Sequence, residues 1–377
     1  VVQKTGCGTV SFITNHGYIT NPTFRGMRNS LLRCFNSWKT LDLHGSAKRK
    51  EQSADGTTDE NVFDIQQGVA VFEATKMAGS ASITSHADLY GNRDYKYGAL
   101  NLASKKGVKW ELVSAVAPYY LFQPQDAAVR SEYYRFSSIA EIMPYKSFGF
   151  KTHRDEFAIA FSREELETRL ENLRGRELSN QELSAVYGLS ETRDWKIEQA
   201  RQKLRSDKNW KTSIVRCLYR PFDYRYCYLS NVMMDWPRMQ MMNHMLSSNV
   251  ALSTTRSVEI QRGFEHVGCV NIPMDHHAVS LKESNFLFPL YTYPDTGKMS
   301  FASERRANLD LNFIRSFCDL LGVTFAATES ECKKTILMPE DFFHYAYAAF
   351  HSHGYRFRYS EFLKSDFPRL PLTESLD

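Results

Sequence analysis

The stretch "GTVSFITNHGYITNPTFRGMRNSLLRCFNSWKTLDL", residues 8–43, decides how the fold is read. Gly8–Ile13 is a short β-rich run that ends at the polar pair Thr14-Asn15. Phe24, Met27, Leu31 and Leu32, within "TFRGMRNSLLRCF" (23–35), recur at helical spacing and predict one apolar helix face. "WKTLDL" (38–43) returns to a strand pattern. The charged stretch "HGSAKRKEQSADGTTDEN" (44–61) is too long for a tight turn, and "GVAVFEATK" (68–76) is a strand again. Strand, helix, strand, long loop, strand is half of an open α/β sheet, so the fold class expected at this end is α/β.

After "MAGSASITSHADLYGNRDYKYG" the composition shifts, and a boundary is expected near residue 85. Strands are predicted at 108–116, 156–161, 213–229, 249–254 and 286–293. Ser162 with Glu165, and Ser179 with Glu182, have capping-box spacing and predict helix starts. The segment 193–206 is read as a helix. So is "PRMQMMNHML" (237–246), with Pro237 in its first turn. Toward the end, Leu309, Phe313, Phe317 and Leu320 share a helix face that Gly322 terminates, and Pro339-Glu340-Asp341 opens another helix.

Composition narrows the function. Apolar residues are 42% and charged ones 24% of 377, as in ordinary globular proteins. No apolar run reaches the roughly 20 residues of a membrane span, and the N-terminus lacks the order of a secretory signal. Seven scattered cysteines without a C-x-x-C pair point to reduced thiols, and a cytoplasmic location is expected. The net charge of +4 is unevenly spread: nine Lys/Arg against three Asp/Glu lie between Lys196 and Arg225. Trp195, Trp210, Tyr219, Phe222, Tyr224, Tyr226 and Tyr228 crowd the same region. Cations interleaved with aromatics suit a polyanion carrying planar bases, and they also suit a solvated basic helix followed by a half-buried strand.

Signatures of independent chemistry are weak. Gly6-x-Gly8 precedes a strand instead of following one, the wrong way round for a cofactor loop. There is no Walker-type phosphate loop, no paired-acid-and-lysine nuclease core, and no cysteine with an evident base beside it. "DHH" (275–277) and "HSH" (351–353) read as surface or core histidines, and no metal site is expected.

The blocks "FITNHGYITNPTFRGMRNSLL", "LDLHGSAKRKE" and "DENVFDIQQGVAV" resemble the post-catalytic half of the adenine-N6 DNA methyltransferase domain of Type ISP restriction-modification enzymes, relatives in plan of Type IIG enzymes. "KTHRDEFAIAF", "YRPFDYRY", "PRMQMMNHML", "FLFPLYTYP" and "YAAFHSHGYRFRYSEFLKSDFPRLPL" resemble the target-recognition domain that follows it. The resemblance implies the C-terminal half of a Rossmann-like class I methyltransferase sheet (1–85), an α+β target-recognition domain (86–300) and a helical C-terminal part of that domain (301–377). In such chains, nuclease, helicase and the first half of the methyltransferase lie upstream. The loop for S-adenosylmethionine and the catalytic Asn-Pro-Pro-Tyr/Phe lie there too. S-adenosylmethionine is thus expected as the cofactor of the intact parent and none for this chain alone.

Asn21-Pro22-Thr23-Phe24 imitates that tetrapeptide. A catalytic asparagine must hold the adenine amino group at a fixed distance from the donor methyl, which requires the rigidity of a strand end. Seven residues separate Ile13 from Asn21, and Thr23 replaces the second proline, so a turn and helix start are expected instead. The chain alone is not expected to methylate.

Double-stranded DNA is the expected partner, together with the missing upstream part of the parent. Arg220, Tyr224 and Arg225 in "YRPFDYRY" offer forked donors and a stackable ring: an arginine there binds guanine bidentately, or pairs Asp223 and holds the strand. Lys151 and Arg154 stand in the same position, with Asp155 and Glu156 as rival partners. Arg238 and Arg256 are weaker candidates. Lys48, Arg49 and Lys50 occupy the long loop, either on phosphate or simply solvated. A stand-alone DNA-binding specificity subunit and an inactive truncated relic remain the alternatives.

Overall fold

The computed structural model describes residues 2–47, 50–53, 55–103, 108–258, 263–294, 305–326 and 335–375. It divides into two compact units, each discontinuous in sequence. One comprises 1–135, 257–263 and 358–366, the other 136–256, 264–357 and 367–377.

In the first unit the opening stretch folds much as its pattern predicts: β1 (Gly8–Asn15), α1 (Arg25–Cys34) and β2 (Ser37–Asp42), followed after the long loop by β3 (Val69–Lys76). β4 (Ile83–Asp88) and the two-residue β5 (Glu111–Leu112) complete a sheet of order β1-β3-β2-β4-β5. β3 runs antiparallel to both β1 and β2, whereas β2 and β4 are parallel. The period-2 pattern places Ala70, Phe72 and Ala74 on the face of Trp38, which stacks on Phe72 at 4.9 Å, with Tyr18 and Phe122 closing that core. Leu41, Val69, Val71 and Ala87 line the other face.

Two expectations change here. The boundary near residue 85 falls inside β4, whose six backbone pairings with β2 carry the sheet across it; α2 (Arg93–Ala103) and α3 (Ala127–Arg135) belong to the same unit. On α1, Met27 and Phe24 are exposed, and Arg28 is the residue that is fully buried. Its guanidinium donates to the carbonyls of Tyr18, Asn21 and Tyr119, and those of Tyr18 and Tyr119 are buried acceptors that would otherwise go unmet. Burial lowers its pKa to about 10. Helical spacing alone could not tell a buried capping arginine from a solvated one.

Just beyond β2, Gly45 illustrates local necessity. Its φ is +78°, and a Cβ there would meet the Asn61 backbone at 2.4 Å, so the turn after His44 admits no side chain.

The second unit is α+β, with several small sheets. β6 (Ser147–Phe148) edges a four-stranded sheet, and β7 (Ile159–Ala160) edges a three-stranded one. The predicted strand at 156–161 is mostly a helical turn, Asp155–Ala158, because Phe157 and Ala158 both donate to the Arg154 carbonyl. Three helices follow: α4 (Arg163–Arg174), α5 (Asn180–Tyr187) and α6 (Ile197–Ser206). Ser162 and Ser179 cap the first two as expected, and Ser179 with Glu182 forms the complete reciprocal box. The predicted strand 213–229 is a hairpin, β8 (Ile214–Arg220) and β9 (Asp223–Tyr228), packed under those helices through Leu166, Leu170, Leu204, Ile214 and Tyr228.

α7 (Met239–Met245) starts after Arg238, so Pro237 precedes the N-cap instead of sitting in the first turn. β10 (Ala251–Thr255), β11 (Val267–Val270) and β12 (Asn285–Pro289) form the four-stranded sheet in the order β11-β10-β12-β6. Near the end, α8 (Leu311–Leu321) stops at left-handed Gly322, and α9 (Pro339–His351) carries Pro at its first position. The expected helical part 301–377 does not form one body: the short helix Ser360–Leu363 packs in the first unit, where Phe362 stacks on Tyr133.

Candidate nucleic-acid interface

"YRPFDYRY" (219–226) is the turn of the β8–β9 hairpin. Asp223 pairs with Arg220 across a two-residue link, Pro221-Phe222, and the register shifts between Asp223 and Tyr224. Phe222 is left-handed (φ +62°) and 94% exposed. A bulky apolar residue in that conformation is strained and gains nothing from the fold it sits on.

Behind the tip, cations and rings alternate. The Arg220 guanidinium lies 3.8 Å from the Tyr219 ring centroid, and Arg225 lies 4.4 Å from Tyr219 and 4.1 Å from Phe161. Both arginines are also paired. Arg225 grips both Asp223 oxygens at 2.8–3.0 Å, which raises its pKa. Arg220 donates to Asp275 at 2.7 Å and stands 3.8 Å from Asp155; burial nonetheless pushes the Asp275 carboxyl above its ordinary range. Arg225 thus makes the pairing with Asp223, and Arg220 pairs with an acid outside the hairpin.

Arg154 is more deeply engaged than either. It is 8% exposed, donates to Asp235 at 2.7 Å and to the carbonyls of Thr152 and Met233, and stacks on Trp195 at 4.1 Å. Asp235, held below the usual carboxylate range by His153 and Arg154 against the opposing effect of burial, completes this clamp. A guanidinium so placed cannot reach a base without breaking it. Its chain neighbour Lys151 is half-buried, with Nζ 5.8 Å from the exposed Trp236 ring.

Lys151, Arg154 and Arg220 line an open groove of about 640 Å³, together with Asp155, Glu156, Asp235 and Asp275. Of its three strong cations, Arg154 and Arg220 are paired there with Asp235 and Asp275. The outer surface of the hairpin differs. Tyr224 is 48% exposed, and the exposed Arg216 on the opposite strand lies with its guanidinium 5.1 Å from that ring.

The remaining candidates are separate. Arg238 is left-handed (φ +51°), part-buried, and 5.0 Å from the Phe148 ring. Arg256 is exposed at the end of β10. In the first unit, Lys48 and Arg49 lie outside the described residues; Lys50 is exposed at the rim of a groove of about 1000 Å³ that Glu60, Asp64 and Asp94 also line. Asn21 takes the place expected of it: its side chain accepts from Thr23 N at 2.9 Å and caps the turn Pro22–Phe24.

Sequence reasoning passed over Phe222 and Arg216. The signal was a Pro-Phe pair between two strand-like runs, which marks a turn and therefore an exposed ring.

The family of Type ISP C-terminal specificity domains matches residues 141–377, and the chain belongs to that family. Among solved structures it is similar to the cryo-EM structure of a DrdV–DNA complex (TM-score 0.67, 22% identity, 98% of this chain and 36% of that one). It is also similar to the ATP-dependent Type ISP restriction-modification enzyme LlaBIII bound to DNA (0.65, 21%, 97% and 24%). A third is a nuclease-deletion mutant of the Type ISP enzyme LlaGI with a DNA substrate mimic (0.62, 19%, 97% and 28%). At these identities the likeness is one of fold, and the chain spans between about a quarter and a little over a third of the proteins it matches. No curated protein matches. Among the described residues, no helix is long and apolar enough to cross a membrane.

Proposed function

We propose that this chain is the DNA-recognition portion of a restriction-modification enzyme that methylates adenine N6 with S-adenosylmethionine, its second unit gripping double-stranded DNA. The observation that carries the reading is the β8–β9 hairpin tip. There a strained, exposed Phe222 occupies the turn, and the Tyr224 ring two residues on lies 5.1 Å from the Arg216 guanidinium, a set that matches a base-stacking wedge with a phosphate partner. Membership in a specificity-domain family and likeness to three DNA-bound structures support it.

In this reading Lys151, Arg256 and Lys48–Lys50 serve as phosphate contacts and Arg238 as a groove contact, while Arg220 and Arg225 hold the hairpin rigid. The first unit is the closing part of the methyltransferase sheet. Its order β1-β3-β2, an antiparallel strand between two parallel ones, suits that edge, and exposed Phe12 and Ile13 on edge strand β1 suit a neighbouring strand supplied from outside these residues. The nuclease and helicase belong to the same parent.

The chain's own residues do not fit the methyl donor. Gly6 precedes β1 and Gly8 opens it, and the Asn21 side-chain oxygen is spent on its turn. No catalytic step is therefore assigned here.

Selection of tight binders from a randomised duplex pool tests the proposal. One enriched sequence, bound more weakly after Tyr224→Ala, is expected; equal retention of all sequences would remove the recognition role. Labelled donor mixed with this chain and duplex DNA is expected to transfer no methyl group, and adenine methylation would mean that the active site lies within it.

A further inference from the structure

At the ends of β1, β2 and β4, three histidines and three carboxylates meet. His16, Asp42, His44, Glu51 and His86 are each less than a tenth exposed, and Asp88 closes the set from the surface. His16 Nδ1 stands 3.0 Å from Asp42 Oδ1, which also accepts from His44 N at 2.9 Å. Asp88 Oδ1 receives both His44 Nε2 at 2.8 Å and His86 Nε2 at 3.0 Å.

That last contact fixes a tautomer. A carboxylate oxygen only accepts, so His44 carries its proton on Nε2. The Nδ1 of a neutral His44 is then a lone pair, and it faces Asp42 Oδ2 at 3.8 Å and Glu51 Oε1 at 3.9 Å. These separations are too long for hydrogen bonds. The lone pair thus has a buried carboxylate oxygen on either hand, an electron-rich surrounding that a positive charge stabilises. A single proton leaves the carboxylates in excess, whereas a divalent ion balances them.

We propose that His16, Asp42, His44 and Glu51 form a binding site for a divalent transition metal, zinc being the best fit. Ligand atoms of His16, Asp42 and His44 already lie within 4.8 Å of one another. A tetrahedron with bonds of about 2.0–2.1 Å has edges of roughly 3.4 Å, so binding draws these three ligand atoms together by up to about 1.4 Å, and Glu51 closes on them from beside His44. His16 Nδ1 gives up its proton on binding, and uptake releases protons to solvent. Asp88 supplies the carboxylate behind a metal-bound imidazole that orients such ligands. Four protein ligands leave no open position, so the ion is structural. It ties the start of the long loop, through His44 and Glu51, to β1 and β2.

The chain, prepared without chelator and freed of any affinity tag, is dialysed against micromolar zinc and then against metal-free buffer. Elemental analysis is expected to find one zinc per chain, and removal by a strong chelator to lower Tm by roughly 5 °C or more. Cobalt in its place should give the visible d–d absorption of a tetrahedral site. Asp42→Asn and Glu51→Gln should each lose the ion, while His276→Asn, in the second unit, should keep it. Absence of retained zinc with Tm indifferent to zinc and chelator would overturn the proposal, as would equal retention by Asp42→Asn. If a variant fails to fold, the stoichiometry, cobalt spectrum and chelator response of the unaltered chain decide alone.

Discussion

Phe222→Asn separates binding from folding, because the two should move in opposite directions. The ring is 94% exposed, so of roughly 200 Å² of side-chain surface only about 12 Å² is covered by the fold. At about 25 cal/mol per Å² that contact is worth ~0.3 kcal/mol. Against it stands the strain of a bulky residue at φ +62°, of order 1–2 kcal/mol, most of which asparagine relieves because its short side chain tolerates the left-handed region. Stability in urea should therefore rise by about 0.5–1 kcal/mol. Loss of one aromatic stacked on a base costs about 1–3 kcal/mol, which weakens duplex binding roughly 5- to 150-fold. Fluorescence anisotropy with a labelled duplex at one fixed salt concentration reads the binding, and urea unfolding reads the stability. Unchanged affinity in a stabilised variant would refute the wedge. A joint fall in both would show that Phe222 is packed, contrary to its exposure.

Other perturbations follow the same geometry. Asp235→Ala leaves the buried Arg154 guanidinium without its carboxylate and should cost about 3 kcal/mol, seen as a lower urea midpoint with the same slope. Arg28→Met orphans the two buried carbonyls of Tyr18 and Tyr119 and should destabilise by about 3 kcal/mol, with Arg28→Lys recovering only part in thermal melts. His276 is held neutral, its pKa lowered to about 4 by burial and by the charges of His277, Lys151, Arg238 and His153. A histidine with a depressed folded pKa binds fewer protons folded than unfolded, so stability should fall as pH drops from about 6.5 toward 4. His276→Asn should flatten that slope in denaturation midpoints measured across the window. Arg216→Ala should weaken binding alike on unrelated duplexes and lower the salt slope by about one, which titrations at several salt concentrations would register.

What the sequence disclosed, and what it withheld, follows from the range of each interaction. β1, α1, β2 and β3 were legible because alternation and helical spacing are local, and the caps at Ser162, Ser179 and Gly322 because a cap is decided within four residues. β4 was missed because "ITSHAD" has no apolar alternation: its strand character comes from pairing with β2, some forty-five residues earlier. The arginines show the same limit more sharply. Arg154, Arg220 and Arg225 have identical chemistry on the page, and what distinguishes them is which acid folds back on each. Asp223 lies two residues from Arg225, and pairing was foreseeable there. Asp235 and Asp275 lie far along the chain from Arg154 and Arg220, and no spacing rule reaches them. The converse holds for Phe222. An aromatic in a basic run reads as either core or contact, and only the turn geometry removes the first option. Charge type thus finds the surface that meets a polyanion, but pairing geometry decides which of its residues are free to do so.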